Sequence, residues 1–192
     1  MQNLRNKNLN CSSREIKILD LFDDSGFNIP KKDNVLLSIE VRKASLEDIE
    51  DISRITKEAF KQYSKYVIKN DNLEALKETY KDIEMDIQTK EVFVASLNGM
   101  IVGSVRINIL PDKTAYLSRF AVSPKFQNRG IGNVMLNAVD EAMKKAGVKK
   151  LFLHTAAKAS SLIYCYYKHD FYIDSTTKDR GYVRALLSKD YV

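Results

Sequence analysis

The segment Gln127-Asn128-Arg129-Gly130-Ile131-Gly132 gathers residue types that can hold an anion. It lies between an apolar, strand-like run, Tyr116 to Val122, and an amphipathic, helix-like run, Ile131 to Lys145. Two glycines let the backbone turn tightly and keep side chains out of a ligand's path. The helix that follows presents N–H groups without intrahelical partners, and the positive end of its dipole. Strand, glycine turn and helix N-terminus together form a cradle for a phosphate or pyrophosphate. A glycine pattern alone occurs in many turns, so the surrounding elements must decide what it holds.

Periodicity supplies those elements. Ser38-Ile39-Glu40-Val41-Arg42 alternates polar and apolar, as a half-buried strand does. Ser45 precedes Asp48 by three residues, an acidic capping box, and Ile49, Ile52, Ile55, Ala59 and Phe60 follow at helical spacing. Leu73, Leu76, Tyr80, Ile83 and Ile87 predict one continuous amphipathic helix over residues 72–87. Val92–Leu97 and Ile101–Ile109 flank Asn98-Gly99, a strong hairpin signal. A turn at Pro111-Asp112-Lys113 leads into the strand Tyr116–Val122. The helix from Gly130 runs to Ala146 and stops at Gly147. Lys150–His154 reads as a strand, Ser160–Lys168 as a helix, and Phe171–Asp174 and Tyr182–Leu187 as two closing strands. Upstream, residues 1–12 are polar, Ser13–Phe22 suits a short helix, and Pro30–Asn34 reads as a linker. This order predicts an α/β (α+β) domain: a mixed, mostly antiparallel central sheet flanked by helices, with one strand–helix–strand crossover.

The chain's 192 residues and 44% hydrophobic content suffice for one domain with a core. Lys and Arg number 31 against 25 Asp and Glu, a net charge of +6. That excess suits an anionic ligand, but the basic residues are interleaved with acids, so nucleic acid is not expected. Cys11 and Cys165 stand alone, with no spacing that suggests zinc, and no metal is expected. Met1–Arg14 lacks an apolar core of signal-peptide length, and no stretch approaches the roughly 20 apolar residues of a membrane span. A cytoplasmic protein without a membrane partner is the expectation.

The segment Ser118-Arg119-Phe120-Ala121-Val122-Ser123-Pro124-Lys125-Phe126-Gln127-Asn128-Arg129-Gly130-Ile131-Gly132 resembles the acyl-CoA-binding motif of the GNAT superfamily, the acetyl-CoA-dependent N-acetyltransferases. Tyr164-Cys165-Tyr166-Tyr167-Lys168-His169-Asp170-Phe171 resembles that family's second signature, a Tyr five residues before a Phe. The element order agrees over residues 38–190. The resemblance therefore implies an N-terminal extension over residues 1–37 and an N-acetyltransferase domain over residues 38–192. It implies acetyl-CoA as co-substrate, moved to a primary amine by direct transfer in a ternary complex. The other reading is a non-catalytic acyl-CoA-binding or regulatory module.

The resemblance also implies roles. Backbone N–H and C=O groups of Phe120 and Val122 would line the pantetheine arm, with Ala121 between them as a further cofactor-binding residue. Amides of Gln127, Asn128, Arg129, Gly130, Ile131 and Gly132 would hold the pyrophosphate, with the Arg129 charge available to a phosphate. Tyr166 occupies the general-acid position. Many relatives carry a Glu in the strand Tyr116–Val122, where this chain has Tyr116, Ser118 and Arg119. His154, whose ordinary pKa suits proton transfer, is the alternative base, with a water relay as another route. Ser160 stands near the position where relatives often have an Asn. Tyr63 and Tyr66 border the acceptor side as a lid, with Tyr116 beside them, and Asp174, Asp179 and Arg180 are further acceptor-facing candidates. The acceptor is a small-molecule amine or a protein or peptide amine, and a homodimer is left open.

Overall fold

The computed structural model describes residues 14–15, 38–66 and 73–191. Strand β1 (Arg14–Glu15) pairs antiparallel with β2 (Ser38–Lys43). The short helix expected over Ser13–Phe22 lies outside the described residues, except for Arg14–Glu15, which are extended rather than helical. After β2 come helix α1 (Ile49–Tyr63), α2 (Glu74–Lys77) and α3 (Tyr80–Thr89), then strands β3 (Glu91–Leu97), β4 (Met100–Ile109) and β5 (Thr114–Val122). Helix α4 (Ile131–Lys145), β6 (Lys150–Ala156), α5 (Ser160–Tyr167), β7 (Tyr172–Thr177) and β8 (Arg184–Asp190) complete the order.

The strands form one sheet in the order β1-β2-β3-β4-β5-β6-β8-β7. Every neighbouring pair is antiparallel except β5 and β6, which are joined by the α4 crossover and run parallel. Alternation along β3 shows that both faces are covered. Val92 and Val94 pack with Ile52 and Ile55 of α1 and Ile83 of α3, while Phe93 and Ala95 pack on the side of Met135 and Val139 of α4. The β3–β4 hairpin turns on Asn98 and Gly99, both with positive φ (51° and 82°), as the dipeptide predicts.

The single helix expected over residues 72–87 is instead two. Asn72 lies outside the described residues, α2 ends at Lys77, and Glu78 takes an extended ψ of 134°. Thr79 then starts α3 with a capping box: its hydroxyl accepts from the Asp82 N–H at 3.3 Å, and Asp82 Oδ2 accepts from the Thr79 N–H at 2.8 Å. Tyr80, placed on the apolar face by periodicity, is exposed as a result.

The sheet opens where β5 and β6 meet. Their parallel pairing covers Thr114↔Lys150, Ala115↔Leu151 and Tyr116↔Phe152 and goes no further. Beyond it β5 stays on β4 and β6 stays on β8. A wedge is left between two strand edges.

Candidate active site

A cleft of about 710 Å³ occupies this wedge. One wall is the free edge of β5. The Ser123 N–H bonds to the Val102 carbonyl on the β4 side. Backbone groups alternate sides along a strand, so those of Val122 point away from β4, into the cleft. The Val122 carbonyl already accepts from Gln127 Nε2 at 3.0 Å. Gln127 thus braces the strand end with its side chain, a role the motif did not suggest. The other wall is β6. Because the Ala157 N–H bonds to the Val183 carbonyl, the N–H of Ala156 faces the cleft, where it donates to Tyr63 Oη at 2.6 Å.

A bulge shapes the β5 edge. Ser104 pairs with Ala121 and Arg106 with Ser118, so Val105 is opposed by two residues, Arg119 and Phe120. Arg119 absorbs the extra residue with φ = 52°, a left-handed conformation rare for non-glycine residues.

Below the strand, the sequence Pro124–Phe126 makes a single turn and Asn128 and Gly130 both take positive φ (61° and 77°). Gly130 caps α4 with its carbonyl, which accepts from the Val134 N–H at 3.1 Å. The N–H groups of Ile131, Gly132 and Asn133 precede the first helical bond and open toward the cleft, which all three residues line. A Cβ on Gly132 would stand 3.4 Å from Cζ of Phe120, so the glycine keeps this corner open. These features fit a pyrophosphate. Arg129 does not line the cleft; its guanidinium stacks 5.4 Å over the Phe126 ring. Ser160 is exposed at the start of α5 and does not line it either, whereas its neighbours Ser161 and Leu162 do.

Tyr166 rises from α5 into the cleft, 5% exposed, wedged between the rings of Phe120 (centroids 6.1 Å apart) and Phe171 (5.5 Å). Burial pushes its phenol pKa well above the ordinary value, with smaller contributions from Cys165, Tyr63 and Tyr116. Cys165 also lines the cleft, and burial raises its thiol pKa, which disfavours the nucleophilic thiolate.

Leu153 packs in the core on the α4 side, so His154 projects from the other face of the sheet, the face of α1. The register Tyr116↔Phe152 sets Tyr116 beside it, with Tyr116 Oη 3.2 Å from His154 Nδ1. Burial, then the nearby Arg184 charge, pull the His154 pKa below its ordinary value of 6.5 while Asp179 opposes them. The imidazole is therefore neutral near pH 7.

Tyr63, Tyr66, Arg180, Tyr182 and Arg184 also line the cleft. Tyr63, expected as a lid, is a strut pinned to β6, with Tyr66 edge-on to it at 5.8 Å. Of the three further acceptor-facing candidates, Arg180 lines the cleft. Asp179 instead pairs with Arg184 at 2.7 Å, and Asp174 accepts from Ser188 on β8. Tyr182 and Arg184 were missed because only the β6–β8 register, Ala156↔Arg184, brings them alongside. Among the described residues no group of three His, Cys, Asp or Glu side chains is placed to hold a metal ion, and no helix is long and apolar enough to cross a membrane.

The family described as "Acetyltransferase (GNAT) family" matches residues 49–171. The chain belongs to this family. As a GNAT member it is an N-acetyltransferase. A spermidine N(1)-acetyltransferase of Thermoplasma acidophilum is 26% identical over 152 residues, which span 73% of this chain and 92% of that protein. An uncharacterized N-acetyltransferase of Chlorobaculum tepidum is 30% identical over 60% of this chain and 66% of its own length. Among solved structures, the PaiA N-acetyltransferase of T. acidophilum in complex with coenzyme A has a TM-score of 0.71 at 23% identity, covering 80% of this chain and 99% of that one. That last likeness shows the fold, a mixed α/β domain with a mostly antiparallel sheet.

Proposed function

We propose that this GNAT protein moves the acetyl group of acetyl-CoA directly to a primary amine while both substrates occupy the cleft. The single observation that carries the reading is the wedge itself. The cleft-facing N–H of Val122 stands between a phosphate cradle at the start of α4 and a buried phenol on α5. A CoA-length ligand can meet all three: pyrophosphate on Ile131–Asn133, pantetheine along β5 as an added strand, and sulfur near Tyr166.

In the reaction the acceptor ammonium first loses a proton to His154, which passes it to solvent. The amine nitrogen then attacks the thioester carbonyl. The Val122 N–H, aimed into the cleft, stabilises the oxyanion. As the C–N bond forms and the C–S bond breaks, Tyr166 gives its proton to the departing sulfur and is restored by the second proton lost from nitrogen. An amide, a free thiol and one released proton balance the equation. For His154 to accept at Nε2, its Nδ1 must carry the hydrogen and donate to Tyr116 Oη, which the 3.2 Å contact allows. The protonated, half-buried Cys165 argues against an acetylated enzyme.

Relatives named for spermidine and for amino acids frame the acceptor as an amine carried by a small molecule or a peptide. Initial rates of thiol release over a grid of acetyl-CoA and amine concentrations should give intersecting double-reciprocal lines. Parallel lines would indicate an acetyl-enzyme intermediate. Tight acetyl-CoA binding with no transfer to any amine would leave only a binding module.

A further inference from the structure

A chain of charges runs from the buried core of β4 to the half-buried bulge of β5. Arg106 is 1% exposed. It donates from both terminal nitrogens to the two carboxylate oxygens of Glu78, each at 2.9 Å, and from Nη1 to Asp86 at 2.7 Å. Glu78 also accepts from Nε of Arg119 at 2.6 Å. One carboxylate thus joins two guanidiniums on two strands, and it does so from the break between α2 and α3. Had residues 72–87 formed one helix, Glu78 would not have taken the extended turn that the Thr79 capping box ends. Lys90 adds to Asp86 at 2.6 Å and Glu74 reaches Arg119 at 4.0 Å, so each of these charges finds its partner within the protein. Arg119 lines the cleft, yet its guanidinium is already committed to Glu78.

Arg119 is also the residue with φ = 52° that absorbs the bulge. A side chain with a Cβ keeps that conformation only where its surroundings over-determine it. The bulge in turn sets the course of Phe120–Val122, the stretch that carries the cleft-facing N–H of Val122. We propose that Glu78 is a positioning residue for acetyl transfer: its grip on Arg119 holds the bulge, and the bulge aims the Val122 N–H. The proposal rests on the reading of the β5 edge as the acyl site.

The test compares Arg119→Ala with Arg119→Gly. Both lose the guanidinium and both leave the Arg106–Glu78 pair intact, so both are expected to fold. Only alanine meets the steric penalty of the left-handed region. Arg119→Ala should lower kcat by about 10- to 100-fold, the scale of a small misplacement at a reacting centre. Arg119→Gly should stay within about threefold of wild type. Glu78→Gln should lower kcat in the wild-type background and change it less than about twofold in the Arg119→Gly background. Equal loss in the alanine and glycine variants would mean that the guanidinium itself serves the substrate and would overturn the proposal. No loss in either would do the same. Amide chemical shifts of Phe120 and Val122 in the free protein should move in Arg119→Ala and hold in Arg119→Gly. That readout needs no turnover, so it separates failure of the positioning role from failure of the acetyl-transfer reading, which the wild-type rate tests.

Discussion

Replacing Tyr166 by phenylalanine is expected to lower kcat by about 100-fold or more, with CoA affinity held within about twofold. The substitution removes one oxygen from a ring that otherwise keeps its contacts with Phe120 and Phe171. Packing is preserved, so the loss reports the proton. Burial raises the Tyr166 pKa, so the phenol is fully protonated at every pH at which the enzyme would be assayed. A phenol in that state enters the reaction carrying the proton that the departing thiolate needs, and it cannot be the base that first deprotonates the ammonium. A 100-fold loss corresponds to about 2.7 kcal/mol of transition-state stabilisation. The measurement is a kcat series with CoA titrations by calorimetry for both proteins. An unchanged kcat removes Tyr166 from the acid role, and a parallel loss of CoA binding makes it a wall of the cleft.

The second large effect belongs to His154. His154→Gln should lower kcat by about 100-fold and erase its acidic limb. The sign follows from the environment. Burial and Arg184 pull the pKa below 6.5, so the free base dominates at pH 7 and is lost only on acidification. The wild-type kcat should therefore rise with pH through a midpoint below 6.5 and then level off. Glutamine keeps a hydrogen-bonding partner for Tyr116 but does not titrate. A pH profile of kcat for both proteins decides: a limb that persists unchanged in the variant assigns it to another group, such as one feeding a water relay.

The parts of this site legible in the sequence are those built from neighbours in the chain. The Gln127–Gly132 turn, the strand before it and the helix after it are contiguous, and local backbone preference fixes all three. Tyr166 and Phe171 lie on one short helix and its exit, so their spacing survives folding. The parts not legible depend on partners distant in sequence. Glu78 reads as one more polar position in a helical pattern until Arg106, 28 residues on, claims both its oxygens. The Thr79-x-x-Asp82 capping signal was present, but the apolar periodicity of Leu73, Leu76, Tyr80, Ile83 and Ile87 runs straight through it. Tyr116 and His154 were each named, yet their pairing comes from the parallel register of β5 and β6. Arg129 and Ser160 sit at motif positions but not in the cleft: the first finds Phe126 as a stacking partner, and the second lies on the outer side of α5's first turn. The cleft wall at Tyr182 and Arg184 carries no local signature, because a strand register recruits it.

The central claim is that the wedge between β5 and β6 receives the thioester. A crystal structure of the protein with acetyl-CoA tests it most directly. The thioester oxygen should lie about 3 Å from the Val122 nitrogen and the sulfur within about 3.5 Å of Tyr166 Oη, with the pyrophosphate on the amides of Ile131, Gly132 and Asn133. A pantetheine arm that runs outside the wedge, with its sulfur remote from Tyr166, would contradict the account.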